Sequence, residues 1–311
     1  MHIWKLKRRY AVCALFVLCG CAIPTAEHDR GAHTPTIPPV GVVGKTLCVN
    51  ARAAPVTNTY AHIESILGIG AVESPSDSQY VPPRPHIAER SDAVVGPYFA
   101  FLAIEPTDVN QDLMTLADGG DRSRTEIKIA PSKGGIHDTF KAREGETFTY
   151  TWRFRIDPAI KFSPSFTHIH QLKAFGGGYA DPPLITFTPL ASGQLEIRHV
   201  GDAQKGASNA RVIGAAPLVP LIGQWLDVTE TVTFSNTAGR YALRIRDPRG
   251  QNVLEVVEGG LSLWRTGADH IRPKWGIYRR HHAMLNQHID DFVHVANIGI
   301  TRGERADSNC R

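Results

Sequence analysis

Lys274-Trp275-Gly276-Ile277-Tyr278-Arg279-Arg280 is the stretch around which the rest of the chain is organised. In an extended strand, successive side chains point to opposite faces, so Lys274, Tyr278 and Arg280 share one face while Trp275 and Ile277 share the other. The apolar face can anchor the strand on a core, and the tyrosine between two cations suits a groove for an acidic polymer. Taken alone, the stretch also fits a half-exposed strand with basic residues.

Similar short strand patterns, separated by turn residues such as those of Asp247-Pro-Arg-Gly250, recur along most of the chain. We therefore predict an all-β fold, a sandwich or jelly roll. A single short helix is predicted over residues 57–67. The predicted strands cover residues 98–104, 122–129, 148–156, 166–175, 184–188, 194–199, 225–234, 241–246, 253–257, 274–280 and 292–301.

The chain length and charge restrict the class of protein. A chain of 311 residues with 28 Gly and 21 Pro can bury a full core, and we predict one large domain over residues 46–311. The formal net charge of +4 is mild, and no long Lys/Arg run follows the first ten residues. Nucleic acid is therefore not an expected partner.

The N-terminus is typical of an export signal. A basic segment precedes an apolar run over residues 11–18 that is too short to span a membrane. Leu18-Cys19-Gly20-Cys21 resembles a bacterial lipoprotein lipobox, which implies a signal peptide over 1–20 and acylation of Cys21. Ala22 after the cysteine implies an outer-membrane lipoprotein, facing the periplasm or the cell surface. An ordinary secretory signal is the alternative.

The segment 21–45 is rich in Pro, Thr and Gly and has no periodicity, so we predict a tether between a lipid anchor and the domain. Beyond the signal region only Cys48 and Cys310 remain. In an oxidising compartment these two cysteines are candidates for one disulfide, worth about 4 kcal/mol in the chain-entropy model. Two unpaired thiols are the alternative.

Three predicted strands each carry a polar row opposite an apolar row. Side by side in one sheet, these rows would form a cationic trough suited to a polyuronate, whose carboxylates recur once per sugar. The rows are Arg124/Glu126/Lys128, the stretch His168-Ile169-His170-Gln171-Leu172-Lys173, and Lys274/Tyr278/Arg280.

The same residues resemble the jelly-roll alginate lyases, whose strand motifs are R-[ST]-E-[LV]-R, Q-[IV]-H and Y-F-K-A-G-x-Y. Arg124-Thr-Glu-Ile-Lys128 matches the first motif except for its last residue, and His168-Ile-His170 matches the second with His in place of Gln. Lys274-Trp-Gly-Ile-Tyr278 matches the second half of the third motif, with Arg272-Pro273 in place of the aromatic pair. The pattern also resembles glucuronan and heparin lyases, and it covers residues 122–280.

The resemblance implies a β-jelly roll of the concanavalin-like two-sheet type with a concave substrate groove. It also implies β-elimination on an anionic polysaccharide, by a protein expected to be a monomer without metal or other cofactor. Arg124 and Gln171, with a histidine, would neutralise the uronate carboxylate. His170 or Tyr278 would take the C5 proton, and Tyr278 would protonate the leaving O4. The residues expected to bind substrate are Glu126, Lys128, His168, Gln171, Lys173, Lys274 and Arg280.

Several alternatives stay open at the level of the sequence. Strand alternation puts His168 and His170 on the face opposite Gln171 and Lys173, so both sets can line a groove only if the strand contains a bulge. Tyr278 also fits a tyrosine at the rim of the core, and Arg124 a surface ion pair with Glu126. The histidines 281, 282 and 288 look like a metal cluster, but a polar loop beside the groove fits them better because no supporting Cys or carboxylate spacing accompanies them.

Two other classes of protein compete with a lyase. A non-catalytic carbohydrate-binding lipoprotein would use the same cations without needing Tyr278. A glycoside hydrolase needs two carboxylates that flank the scissile bond. Asp290-Asp291 lies at the start of a predicted strand and Glu126 is surrounded by cations, which disfavours hydrolysis.

Overall fold

The computed structural model describes residues 46–53, 58–75, 85–105, 108, 122–177, 181–202, 210–281, 289–304 and 310. The predicted signal peptide, Cys21 and the tether lie outside these residues, so the division of the chain at residues 20 and 45 stays a prediction. Within the part that the structure describes, no helix has the length and apolar character needed to cross a membrane.

The described residues form fifteen strands, one α-helix and two short 3₁₀ turns at Ile136–Phe140 and Val219–Leu221. In chain order the regular elements are β1 Thr46–Val49, α1 Thr59–Leu67, β2 Val72–Glu73, β3 Ile87–Asp92, β4 Gly96–Glu105, β5 Arg122–Lys128, β6 Thr147–Ile156, β7 Thr167–Phe175, β8 Ile185–Pro189, β9 Gln194–His199, β10 Arg211–Pro217, β11 Leu226–Thr233, β12 Gly239–Arg246, β13 Asn252–Leu261, β14 His270–Arg280 and β15 Ile289–Arg302.

Two antiparallel sheets face each other across one hydrophobic core. Sheet A has the order β13-β12-β11-β6-β15-β4-β3, with β1 added on β15, and sheet B has the order β10-β9-β8-β7-β14-β5-β2. Neighbours in the sheets are far apart in sequence, as in β6-β15 and β7-β14, which is typical of a jelly roll. The fold prediction is confirmed.

Strand β6 shows why the alternating sequence gives a sandwich. Tyr150, Trp152, Phe154 and Ile156 are buried, whereas Arg153 and Arg155 on the opposite face are half-buried. Burial of each large apolar side chain contributes about 1.5–3 kcal/mol, so a one-residue shift of register would remove most of this strand's stabilisation. The buried set thus follows the period-two alternation of the sequence.

A disulfide joins Cys48 in β1 to Cys310 near the chain end, with the Cα atoms 5.2 Å apart. The link closes a loop with a sequence separation of 262 residues and lies beside the pairing of β1 with β15. The pairing predicted from the two remaining cysteines is confirmed.

Four strands lie outside the sequence-based prediction, namely β1, β2, β3 and β10. Three of them, β2, β3 and β10, form sheet edges. An edge strand is paired on one side only and is often short or partly exposed, so its hydrophobic alternation is weak. In β10, for example, most side chains are half-buried or exposed.

Candidate active site

The three strands that carry the polar rows are neighbours in sheet B, in the order β7-β14-β5. Tyr278 of β14 lies opposite Arg124 of β5 and opposite His168 of β7. The side-by-side arrangement expected from the sequence is therefore present, and Tyr278 lies at its centre.

A register shift between Trp275 and Tyr278 inserts an extra residue of β14 opposite β7. Gly276 lies in this bulge with φ +141°, and a Cβ there would be 2.1 Å from the Thr125 carbonyl oxygen, so only glycine fits. The shift answers the question left open by alternation: His168 lies in the cleft with Lys173, whereas His170 faces the core.

The cleft has a volume of about 660 Å³. Tyr278 is anchored within it, since Arg122 Nη1 donates to its hydroxyl at 2.9 Å and the Arg124 guanidinium lies 3.9 Å from the ring centroid. This cation–π contact and the hydrogen bond fix both the ring plane and the phenol oxygen. The lining residues are Arg122, Arg124, Phe166, His168, Lys173, Asp181, Pro182, Pro183 and Tyr278.

His168 is a neutral imidazole in this cleft. Its Nδ1 lies 2.9 Å from Thr188 Oγ1, and Phe166 stacks on its ring with centroids 4.6 Å apart. Burial, followed by the charges of Arg198, Arg124 and Lys173, lowers the pKa of His168 to about 3. Among the residues that the structure describes, none forms a hydrogen bond with its Nε2.

His170 corrects one of the predicted catalytic roles. It is fully buried between the sheets, with its Nε2 2.9 Å from Glu230 Oε2 of sheet A. Its ring packs against Trp152 and Trp275 at centroid distances of 5.0 and 5.3 Å. A side chain on this side of the sheet cannot touch a ligand in the cleft, so His170 is not a suitable proton acceptor.

Beside the cleft, the same strands hold a second group of charged residues, which we call the floor network. Glu73 of edge strand β2 accepts hydrogen bonds from Lys128 and Lys274 and from Arg124 Nη1 at 3.2 Å. Glu126 accepts from Arg124 at 3.3 Å and from Gln171, and its carboxylate lies 3.6 Å from Lys274 Nζ. The floor network thus consists of Glu73, Arg124, Glu126, Lys128, Gln171 and Lys274.

Four of the residues predicted to contact substrate belong to the floor network. Glu126, Lys128, Gln171 and Lys274 are all buried and hydrogen-bonded or ion-paired within the network. The charges of Glu126, Lys128 and Lys274 are paired within the network and the Gln171 amide donates to Glu126, so these groups contact one another and do not belong to the cleft lining. Arg124 alone belongs to both the network and the cleft lining.

The floor network is buried and carries a net positive charge. Arg124, Lys128 and Lys274 oppose two carboxylates, and three minus two leaves one positive charge. Burial opposes ionisation of Glu73, but Lys274, Arg124 and Lys128 outweigh it and hold the pKa of Glu73 well below its usual range. Burial lowers the pKa of Lys274 to about 8 despite Glu126 and Glu73. The network is therefore cationic by one charge, and Arg124 is the cation that it shares with the cleft lining.

The remaining predicted residues divide between the rim and the strand end. Lys173 lines the cleft and forms an ion pair with Asp181. Arg280 is exposed at the end of β14 and does not belong to the cleft lining among the described residues. Its neighbour Arg279 is instead buried and donates to Asp291 at 2.6 Å, which ties β14 to β15.

Sequence reasoning missed Glu73, Phe166, Asp181 and a role for Arg122. Arg122 could have been found, because it shares the period-two row of Arg124. Glu73 gives no local signal, since its strand has only two residues. Asp181 precedes two prolines outside any strand, where alternation carries no information.

Within the described residues, no group of three or more His, Cys, Asp or Glu side chains is arranged to hold a metal ion. His282 and His288, which the sequence suggested as a polar loop rather than a metal cluster, lie outside the described residues, while His281 is half-buried. Their assignment to a loop stays a prediction.

No protein-family model and no curated protein sequence matches this chain. Its fold, however, is shared by a solved structure. The crystal structure of the PL-14 alginate lyase from Aplysia kurodai aligns with a TM-score of 0.53 at 10% identity, covering 85% of this chain and 100% of that one.

Two further structures align with lower scores. Alginate lyase Aly36B gives a TM-score of 0.42 at 12% identity, covering 85% of this chain and 99% of its own. The GH131 β-glucanase catalytic domain from Podospora anserina gives 0.48 at 10% identity, covering 82% and 92%. At these identities the similarity describes the fold alone.

Proposed function

We propose that this protein is a polysaccharide lyase that cleaves a uronate-containing polymer by β-elimination. One observation carries the proposal: a phenol, a neutral imidazole and two guanidinium groups meet in a single cleft on β5, β14 and β7. The fold shared with the Aplysia kurodai alginate lyase supports the same reading.

Neutralisation of the substrate carboxylate is the first requirement, because the C5 proton is only weakly acidic beside a charged carboxylate. Arg122, Arg124 and Lys173 line the cleft and can receive that carboxylate. Arg124 is held in place by Glu73 and Glu126 and by the ring of Tyr278. A preorganised cation stabilises the enolate-like charge without rearranging during the reaction.

His168 replaces His170 as the proton acceptor in this proposal. Its Nε2 is the imidazole nitrogen not engaged by Thr188, and the low pKa keeps the ring unprotonated at neutral pH. A substrate carboxylate bound to Arg124 and Lys173 would offset part of the positive field that lowers this pKa, so the imidazole becomes more basic in the complex.

Tyr278 is the proton donor. Since Arg122 donates to the phenol oxygen, the phenol's own hydrogen is directed elsewhere and can pass to the glycosidic O4. The C5–H bond breaks towards His168, a C4–C5 double bond forms, and the C4–O4 bond breaks as O4 receives the Tyr278 proton. The product carries an unsaturated uronate at its new end.

A hydrolase is less compatible with the described residues. Glycoside hydrolysis uses an acid and a carboxylate on either side of the bond. Asp181 is the carboxylate within the cleft lining and is ion-paired with Lys173, while Glu73 and Glu126 are buried in the floor network.

The test is incubation of the purified protein with alginate, glucuronan and glycosaminoglycans while the ultraviolet absorbance of unsaturated uronate is followed. We expect this product from at least one polymer. Binding of a polymer without any product would favour the carbohydrate-binding class, and new reducing ends without unsaturation would favour a hydrolase.

We also propose that Cys21 carries a lipid that holds the protein at the bacterial outer membrane, on the basis of its lipobox-like sequence. A Cys21→Ser variant should then lose metabolic labelling with palmitate and leave the membrane fraction or remain unprocessed. Unchanged labelling and fractionation would contradict the anchor, and the alternative of an ordinary secretory signal would stand.

A further inference from the structure

The cleft already contains a carboxylate of the protein itself. Asp181 lies in the cleft wall, where its side chain is 79% exposed and ion-pairs with Lys173 Nζ. Lys173 is much less exposed, at 18%. The lysine is therefore a fixed group of the sheet, and the aspartate approaches it from the solvent side, as a ligand carboxylate would.

The backbone that carries Asp181 is held in place from behind. Pro182 and Pro183 restrict the backbone dihedral angles directly after it. Arg265 is fully buried and donates from Nη2 to the Pro182 carbonyl at 2.8 Å, and from Nη1 to the carbonyl of Gly201. A buried guanidinium bonded to two carbonyls is a specific anchor, so the position of Asp181 is built into the fold.

Asp181 also lies within the positive field that a substrate would meet. Partial burial disfavours its charged form, but Lys173, Arg124 and Lys274 together hold the pKa of Asp181 below its usual value. Two of these three cations, Lys173 and Arg124, line the cleft.

We propose that the Asp181 carboxylate competes with substrate carboxylates for pairing with Lys173. It pairs with Lys173 in the absence of substrate and separates from it when a uronate carboxylate binds. Exchange of one carboxylate for another keeps Lys173 paired throughout. A neutral sugar offers no such exchange and leaves the ion pair intact, so Asp181 sets both the affinity and the selectivity for charged polymers. The inference rests on the proposed function, since it takes a uronate chain as the ligand.

The experiment is a double-mutant cycle on Asp181→Asn and Lys173→Gln. Oligosaccharides of alginate, glucuronan and hyaluronan, with neutral mannan oligosaccharides as the reference, are titrated calorimetrically into variants that also carry Tyr278→Phe to prevent turnover. Initial rates of unsaturated product are measured in the same variants with Tyr278 intact. Glu255→Gln is the matched control, because it removes one exposed, arginine-paired carboxylate from strand β13 of sheet A.

We expect Asp181→Asn to tighten binding of the uronate oligosaccharide about two- to fivefold, the range of an exposed ion pair, with KM lowered by a similar factor and kcat little changed. The gain should vanish in the Lys173→Gln background and be absent for mannan and for Glu255→Gln. The same binding pattern without any unsaturated product would support the competition by Asp181 and reject the proposed lyase activity.

Unchanged or weaker uronate binding by Asp181→Asn would overturn the inference even if product forms. An equal gain in uronate affinity in the Lys173→Gln background would overturn it as well, because the effect would then come from the long-range electrostatic field of Asp181 and not from its pairing with Lys173. Failure of every protein to bind any of the three uronate oligosaccharides would leave Asp181 with nothing to compete against and would also reject it.

Discussion

The cleft and the floor network are built by the same strands, β5, β7 and β14, yet their cations have different partners. In the cleft, Arg122 contacts the Tyr278 hydroxyl and Lys173 is paired with an exposed carboxylate. In the floor network, Lys128 and Lys274 are buried and paired with Glu73. Residues of one type in one sequence pattern thus line an open cleft at one end and form a closed ion-pair cluster at the other.

The difference arises from what lies beside each end of the strands. Edge strand β2 pairs with β5 and brings Glu73 over the row of Lys128 and Lys274. At the other end, the wall formed by Phe166, Pro182 and Pro183 is accompanied by one counterion, the exposed carboxylate of Asp181, which pairs with Lys173. The cationic row is therefore closed where β2 supplies a buried carboxylate, and it stays accessible where its counterion is exposed.

The largest expected effect is a loss of catalytic rate without a loss of substrate binding. Tyr278→Phe removes the phenol oxygen that Arg122 contacts and leaves the ring to pack against Phe166 and the Arg124 guanidinium. Loss of positioned proton transfer should lower kcat about a hundredfold to ten-thousandfold while oligosaccharide binding persists. Kinetics of unsaturated product and calorimetric titration measure the two quantities.

Tyr98→Phe is the matched control, because Tyr98 packs on Trp225 in a separate cluster of sheet A and should keep full activity. If Tyr278→Phe retained most of the wild-type rate, the proton-donor role would be wrong even for a protein proved to be a lyase.

The second prediction concerns the floor network. Glu73→Gln keeps the side-chain shape but leaves Lys128, Lys274 and Arg124 opposed by Glu126 alone. Breaking a buried ion pair on one side costs about 3–5 kcal/mol, so the free energy of unfolding should fall by about that amount in denaturant titrations. Because the pKa of Lys274 is already about 8, loss of its proton should reduce the deficit at higher pH.

Glu255→Gln provides the comparison, since its exposed pair with Arg244 should contribute at most about 1 kcal/mol. Equal and small effects of the two substitutions would show that the floor network is not the buried, mutually dependent cluster described above.

The third and smallest prediction links the cleft to acid stability. The pKa of His168 is about 3 in the folded protein and 6.5 for an ordinary histidine, so between these values the unfolded chain binds the extra proton. Stability should therefore fall as the pH drops below 6.5. Between pH 6.5 and about 4.5 this histidine alone contributes a loss of about 2 kcal/mol.

His168→Asn removes the titrating group and retains a polar atom that can reach Thr188. Its free energy of unfolding should accordingly depend less on pH over this range than that of the wild type, as measured by denaturant titrations at several pH values. Parallel curves for the two proteins would contradict a buried, neutral His168.

The sequence by itself determined the sandwich and most of its strands. Period-two alternation is local: in β6 it matches the buried set, and in β5 it groups Arg124, Glu126 and Lys128 in one polar row. It also identified the polar rows whose strands meet in sheet B and the cysteine pair that closes the domain. It missed three of the four edge strands, β2, β3 and β10, which are very short or partly exposed.

Only the tertiary structure decided which members of those rows line the cleft. The bulge at Gly276 brings His168 to the cleft although His170, two residues along the same strand, faces the core. Glu73 reaches Lys274 across 201 residues of sequence and closes the floor network. Alternation between neighbouring residues cannot encode either event, because each depends on the register and charge of a strand that is distant in the chain.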